Sequence, residues 1–307
     1  MKNRFLILLS FVLIVGRDVV CANTSMVRER ININRDWRYQ IDDPDGVGAA
    51  LHYSRLKPYL LPCANDFIIF GKRYQRPEGN PGENIAYVKS DFDDSEWRHL
   101  NLPHDWAIEG PFNIDYNGST GKLPYWGIRW YRKTLELSQD DAGKQIYLDI
   151  DGAMSYVSVW CNGQYVGGWP YGYASFRLDL TPYIKAGQKN VLAIRLDNPD
   201  DTSRWYPGSG IYRNVWLVKT SPVHVEQWGT FVRNQQVDSE IAVMEMGVNI
   251  ENHAGKDVQV KLQTSVYLQG KDGRPVGEEV TQSMTKDIAI KKDSWSSARF
   301  QFKVDKS

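Results

Sequence analysis

Between Tyr131 and Thr220, apolar and polar residues trade places at every second position, in short runs broken by turn residues. A period of two puts alternate side chains on opposite faces of a β-strand. Tyr131, Leu135 and Leu137 share one side of the first run, with Arg132, Thr134 and Glu136 opposite. In the next, Ile146, Leu148 and Ile150 face one way, and Tyr147, Asp149 and Asp151 the other. Val157, Val159 and Cys161 form a third face, and Phe176, Leu178 and Leu180 a fourth; Val191–Leu196 and Asn214–Thr220 complete the series. Asn162-Gly163, between Val157–Cys161 and Gln164–Gly168, predicts a tight hairpin, because this pair tolerates positive φ. Asp93–Trp97 and the residues after Thr181-Pro182 predict single helical turns. Upstream, Asp42–Asn84, rich in Pro and Gly, predicts loops around a short apolar segment, Phe67–Phe70. Many short strands and almost no long amphipathic helix predict an all-β sandwich.

Pro222 marks a boundary, beyond which the pattern stays β but loses its aromatic density. Ala242, Met244, Met246, Val248 and Ile250 share a face, as do Val258, Val260, Leu262, Val266 and Leu268. Lys271-Asp272-Gly273-Arg274 predicts a hairpin turn, and Ala298, Phe300, Phe302 and Val304 a last inward face.

The N-terminus reads differently. Met1-Lys2-Asn3-Arg4 precedes Phe5–Val15, which is apolar except for Ser10, and Val20-Cys21-Ala22 offers small residues for cleavage. That run is shorter than the roughly 20 residues of a membrane span, so it predicts a secretory signal over residues 1–22 and an exported, periplasmic or secreted protein. Cys21 raises lipid anchoring as an alternative, but Asp18-Val19-Val20-Cys21 lacks the small residue expected before a lipidated cysteine. Cutting after Ala22 leaves 285 residues, with 34 basic against 36 acidic. No basic stripe exists to neutralise phosphates, so nucleic-acid binding has no electrostatic basis. Of the remaining cysteines, Cys63 and Cys161 stand 98 residues apart; Cys161 sits in a strand pattern, which predicts a buried thiol rather than a disulfide.

Candidate chemistry concentrates in Ser203-Arg204-Trp205-Tyr206-Pro207-Gly208-Ser209-Gly210-Ile211-Tyr212-Arg213-Asn214-Val215. Aromatic faces and forked guanidiniums are the groups that hold a sugar ring, and glycines at this density mark backbone that turns sharply or comes close to something. This stretch resembles the signature that closes the N-terminal sugar-binding domain of glycoside hydrolase family 2, which holds β-galactosidases, β-glucuronidases and β-mannosidases. Asp93-Asp94-Ser95-Glu96-Trp97-Arg98, Leu102-Pro103-His104-Asp105-Trp106, Trp130-Tyr131-Arg132-Lys133, Asp151-Gly152-Ala153-Met154, Trp160-Cys161-Asn162-Gly163 and Gly167-Gly168-Trp169-Pro170-Tyr171-Gly172-Tyr173 match that family in the expected order.

The resemblance implies a jelly-roll β-sandwich of galactose-binding type over residues 26–221 and an incomplete immunoglobulin-like β-sandwich over 222–307. It also implies a catalytic (β/α)8 barrel with paired glutamates, for which no sequence follows Ser307. Retaining glycosidases need two carboxylates about 5 Å apart. Asp149 and Asp151, and the cluster Asp93, Asp94 and Glu96, read instead as solvated or turn-capping groups. The five histidines show no metal-ligand spacing, and no cofactor is implied. What remains is recognition. In the family, a residue after the strand matching Val191–Leu196 bonds the terminal sugar, which points to Asp197 or Asn198, with Arg204, Trp205 and Tyr206 close behind. The plain alternative is that Asn198-Pro199 and Asp200-Asp201 only turn the chain. For Trp169–Tyr173, wedging of the two sheets is the expected role. Three functions are therefore weighed: the non-catalytic N-terminal part of an exported β-galactosidase-like hydrolase, with terminal β-galactosides or related glycans as partner; a standalone carbohydrate-binding module; and a fragment that complements a barrel-bearing chain or self-associates through an open sheet edge.

Overall fold

The computed structural model describes residues 7–15, 28–67, 72–118, 121–200 and 208–305. Phe67–Phe70 lies partly outside them. The chain divides into two compact units, a large one over Arg28–Lys219 and a small one made of Thr220–Ser307 with Met1–Val27.

The large unit is a β-sandwich. One sheet has six strands in the order β4 (Arg98–Leu100), β3 (Trp37–Ile41), β5 (Gly127–Glu136), β10 (Lys189–Asn198), β7 (Val157–Cys161) and β8 (Gln164–Trp169). The other has four, in the order β2 (Arg28–Asn32), β11 (Val215–Thr220), β6 (Gln145–Ile150) and β9 (Phe176–Asp179). The alternation predicted above is the packing observed: Tyr131, Leu135, Ile194 and Val159 from the first sheet meet Ile146, Leu148, Ile150 and Phe176 from the second in one core. The β7–β8 hairpin turns at Asn162 and Gly163, both at positive φ (52° and 79°), as the predicted turn requires. Cys161 is buried there, and burial pushes its thiol up to about 12.

At Asp36 the chain enters the left-handed region (φ 57°) and switches from β2 in one sheet to β3 in the other. One expectation changes. Asp42–Asn84 is not only loop, because it holds α1 (Tyr53–Leu60). His52 caps this helix, its ring accepting from the Ser54 amide, while Leu56 and Leu60, one turn apart, face inward. With Val47, Leu51, Ile85, Val88 and Trp97 they cover the outer face of the six-stranded sheet over Trp130, Trp160 and Tyr165. A second core forms there, and both faces of that sheet are dry at its centre.

In the small unit, β12 (Val223–Val237), β13 (Ile241–Asn252) and β16 (Ser294–Asp305) form one sheet, and β1 (Ile7–Val15), β14 (Val258–Gln269) and β15 (Pro275–Ile290) the other. Met244, Met246, Val248 and Ile250 pack on Phe300, Phe302, Val260 and Leu262 between them. The apolar run of the N-terminus lies antiparallel along β14, Ile7 opposite Leu268 and Val15 opposite Val260. Leu268 departs from its expected buried face and is 39% exposed, where the β14–β15 register shifts between Thr264 and Leu268. Among the described residues, no helix is long and apolar enough to cross a membrane.

One ionic cluster sits in this unit. Glu251 on β13 lies 3.3 Å from the Nε2 atoms of both His224, which is buried, and His253. Burial alone would push the Glu251 carboxyl up, but the hydrogen bonds from the two imidazoles outweigh it and hold it at about 2. A depressed carboxyl contributes stability that is complete above its unfolded value of 4.5 and is lost as pH falls toward 2. The expected loss between those limits is at most about 3 kcal/mol. Thermal unfolding followed by circular dichroism checks this: Glu251→Gln should flatten the fall in Tm across that window, and identical slopes for variant and parent would exclude it.

Candidate functional site

Asp197 and Asn198 end β10, in register with Ile128 and Gly127 of β5. Strand alternation then gives them different surroundings. Asn198 is fully buried. Its Nδ2 donates to the carbonyls of Tyr125 (2.8 Å) and Gly208 (3.2 Å) and to Ser209 Oγ (3.2 Å), and its Oδ1 accepts from Ser155 Oγ at 3.0 Å. The amide is spent on tying loop ends together, which leaves its side chain no face toward solvent. Asp197 retains a carboxylate that is 25% exposed.

That carboxylate stands on a buried cation. Arg195 Nη1 donates to Asp197 Oδ2 at 3.2 Å, while Arg195 Nε and Nη2 form a bidentate pair with Asp43, both bonds 2.8 Å. Trp130 Nε1 donates to the same Asp43 Oδ1 at 2.8 Å. Burial would pull the Arg195 guanidinium down, but Asp43, and then Asp197, outweigh it and raise it. Arg195 thereby fixes one oxygen of Asp197; among the described residues the other accepts no hydrogen bond and is available to a ligand hydroxyl.

Backbone bonds gather three loops beside it. Asp197 N–H donates to the Ser155 carbonyl (3.0 Å), Tyr156 N–H to that of Pro170 (3.2 Å), and Met154 and Gly210 exchange both of their backbone bonds. Gly210 is obligatory: its φ is 109°, and an added Cβ would lie 2.4 Å from the His104 carbonyl oxygen. The glycine-rich signature is thus a place of close backbone approach. Arg204, Trp205 and Tyr206, in its first half, lie outside the described residues.

The aromatics of Trp169–Tyr173 divide. Trp169 packs against the core and stacks on Phe176 as expected of a wedge. Tyr171 and Tyr173 do not: they are 59% and 42% exposed and meet edge to face at 5.6 Å. Gly172 between them presses on Met154, where a Cβ would come within 2.0 Å of Sδ, so the loop passes over the end of the sandwich and leaves both rings outside. Tyr212 Oη holds that loop through the Gly172 carbonyl at 2.7 Å. Exposed aromatic faces are surfaces for the C–H side of a sugar.

The acidic residues are mostly committed elsewhere. Asp149 is not solvated: it is buried, in a bidentate pair with Arg177 at 2.6 and 2.8 Å. Asp151 accepts from Trp216 Nε1, Asp94 from the buried Arg132, and Asp93 caps the Ser95 amide. Among the described residues no group of three or more His, Cys, Asp or Glu could hold a metal ion.

With this geometry in place, comparison with known proteins is informative. Residues 86–221 match the model of the sugar binding domain of glycosyl hydrolases family 2. A beta-galactosidase of Bacteroides ovatus is 40% identical over 263 residues, which is 84% of this chain and 26% of that protein. A beta-glucuronidase of Bacteroides fragilis is 29% identical over 183 residues, 55% of this chain and 25% of that protein. A crystal structure of a family 2 glycosyl hydrolase from Bacteroides cellulosilyticus superposes with a TM-score of 0.69 at 26% identity, covering 90% of this chain and 30% of that one. The chain therefore spans about a quarter of the length of the curated relatives it matches.

Proposed function

This chain carries the sugar-binding domain of the family 2 glycosyl hydrolases, and from that premise we propose that it is the non-catalytic N-terminal part of an exported, β-galactosidase-like hydrolase, recognising terminal β-galactosides or related sugars. In this reading residues 1–22 are the export signal, 26–221 the sugar-binding jelly roll and 222–307 an immunoglobulin-like sandwich. The observation that carries the recognition role is the Asp197 carboxylate, held on one side by Arg195 and open on the other.

The Glu109 carboxylate supports a non-catalytic role. A retaining glycosidase needs a general acid whose carboxyl is pushed up. Glu96 and Glu109 do line one cavity, but the Glu109 carboxyl is held below its usual range by its hydrogen bonds to Arg98. Both of its oxygens are engaged, at 2.7 Å each to Arg98. That is an anchored anion, unsuited to give a proton.

Titration of the chain with methyl β-D-galactoside, followed by amide and indole NMR shifts, tests the proposal. A hydrogen bond to a charged group contributes about 1.5–3 kcal/mol, so Asp197→Ala is expected to weaken binding at least tenfold. Unchanged affinity in that variant would remove Asp197 from the site.

A further inference from the structure

The apolar N-terminal run has a second place in the fold. Ile7–Val15 is β1, the outermost strand of the sheet β1-β14-β15 in the small unit. It runs antiparallel to β14 without a register shift, from Ile7 opposite Leu268 to Val15 opposite Val260. Removal of residues 1–22, on whose being an export signal this inference rests, takes that strand away. β14 and β15 then remain alone, facing the three strands β12, β13 and β16. A pair of strands is marginal as a sheet in water, and a third strand adds much to its stability.

β14 is not built as an edge. Edge strands of native proteins carry charges, bulges or proline that discourage further pairing. The other edges of this unit follow that rule. β12 has two register shifts against β13. β15 takes the extra residues where it pairs with β14 between Thr264 and Leu268, and it carries Glu278, Glu279, Lys286 and Asp287. β16 carries Arg299, Lys303 and Asp305. Over Val258–Gln269, by contrast, β14 has one charge, Lys261, and its unbroken ladder with β1 shows it straight. Val260, Leu262, Thr264 and Val266 on it are all buried. Once uncovered, such a strand presents a regular row of backbone N–H and C=O groups in need of partners.

The strand is also complementary to itself. A two-fold axis through Thr264 sets two copies of β14 antiparallel, with Leu262 opposite Val266, Val260 opposite Leu268, and Thr264 opposite its own copy. Directly opposite residues share a face of an antiparallel pair, so apolar positions meet apolar ones on the core side. Leu268, 39% exposed, gains an apolar neighbour there. On the other face Lys261 falls opposite Tyr267 of the second copy, so like charges stay apart. We infer that removal of residues 1–22 turns the small unit into a dimerisation unit. β14 pairs with β14 of a second copy about Thr264, giving a four-stranded sheet in the order β15-β14-β14-β15, and β1 blocks that contact in the uncut chain. Such an interface is isologous, so it closes at two copies.

Sedimentation of the chain as exported, residues 23–307, beside the uncut chain tests this. The cut chain should dimerise at micromolar concentration and the uncut chain should stay monomeric, with the β14 amides slow to exchange in both. Tyr267 is only half-buried. Tyr267→Lys sets position 267 of each copy, now cationic, against Lys261 of the other, and should weaken the dimer about tenfold. Adding Lys261→Glu should restore it, which a folding defect would not allow. A peptide of residues 7–15 flanked by lysines should compete and return the cut chain to monomer. A cut chain that stays monomeric, equal dimerisation of both forms, or no response to Tyr267→Lys would overturn the inference. Capture of the peptide by a monomeric cut chain would overturn it too, and assign the edge to a strand of another polypeptide. The intact mass of the exported chain reads cleavage separately: an uncut product would sink the signal, whereas the sedimentation of residues 23–307 decides the β14 contact.

Discussion

Asp43→Ala is expected to destabilise the large unit by about 3–5 kcal/mol, the scale of breaking one partner out of a buried ion pair. Arg195 is 3% exposed and donates both of its bidentate bonds to Asp43. Without that carboxylate the guanidinium keeps only the partly exposed Asp197 at 3.2 Å and a marginal contact with the Leu51 carbonyl at 3.5 Å. Trp130 loses its acceptor as well. The cost is that of an uncompensated charge, not of a lost contact, and this distinction can be measured. In the Asp43→Ala background, Arg195→Met should recover much of the stability, because an apolar chain of similar length has no charge to desolvate. Urea unfolding followed by tryptophan fluorescence reads both effects. A single-variant cost below about 1 kcal/mol, or no recovery in the double variant, would mean that water reaches Arg195. The same substitution should loosen Asp197, since its positioning cation would then be free to change rotamer.

Asp43 also shows where legibility ended. The alternation in β5, β6, β7 and β9 identified the inward faces correctly, because a sandwich core imposes a period of two whatever else the strands do. It said less about the polar faces, where Asp149, read as a solvated or turn-capping group, is in fact buried against Arg177. Arg132 sits on the polar side of β5 yet is 1% exposed, its guanidinium bonded to Asp94 and to the carbonyls of Tyr87, Lys89 and Phe92. A covering layer from residues 42–97 makes that face interior, and its eight-residue helix, broken in pattern by Pro58, leaves too short a periodic signal to be read.

The small unit failed to announce two of its strands for the opposite reason. β12 and β15 are sheet edges with mostly exposed residues, so no apolar alternation marks them. At the site, adjacent residues Asp197 and Asn198 were indistinguishable by motif, since which one faces outward depends on register against β5. Tyr171 and Tyr173 carried a signal, aromatics flanking a glycine, but whether they wedge or project depends on what Gly172 touches. Arg195 was visible only as one polar position in an apolar strand. A charge on a strand whose neighbours are all buried was the available clue to an ion pair beneath the site.

The covering layer makes its own strong prediction: Trp160→Ala should cost about 3–5 kcal/mol and should release the layer before the sandwich itself unfolds. Trp160 is fully buried between the layer and the sheet. It stacks on Trp130 at 5.4 Å, meets Tyr165 edge to face at 5.1 Å, and donates Nε1–H to the Pro81 carbonyl at 2.7 Å. Gly82 approaches so closely that a Cβ there would lie 3.1 Å from the indole. Removing the side chain therefore empties a cavity on one side and strands a carbonyl on the other, and both losses fall on the segment around residues 80–88. The inner core, which has no share in Trp160, keeps its contacts. Limited proteolysis should then cut within residues 42–97 while the β10–β5 pair still shows slow amide exchange. Because Asp43 enters from that layer, sugar-induced shifts assigned to Asp197 should weaken in parallel with the cutting. Cooperative loss of both layers in a single transition would show instead that the covering segment and the sandwich are one folding unit.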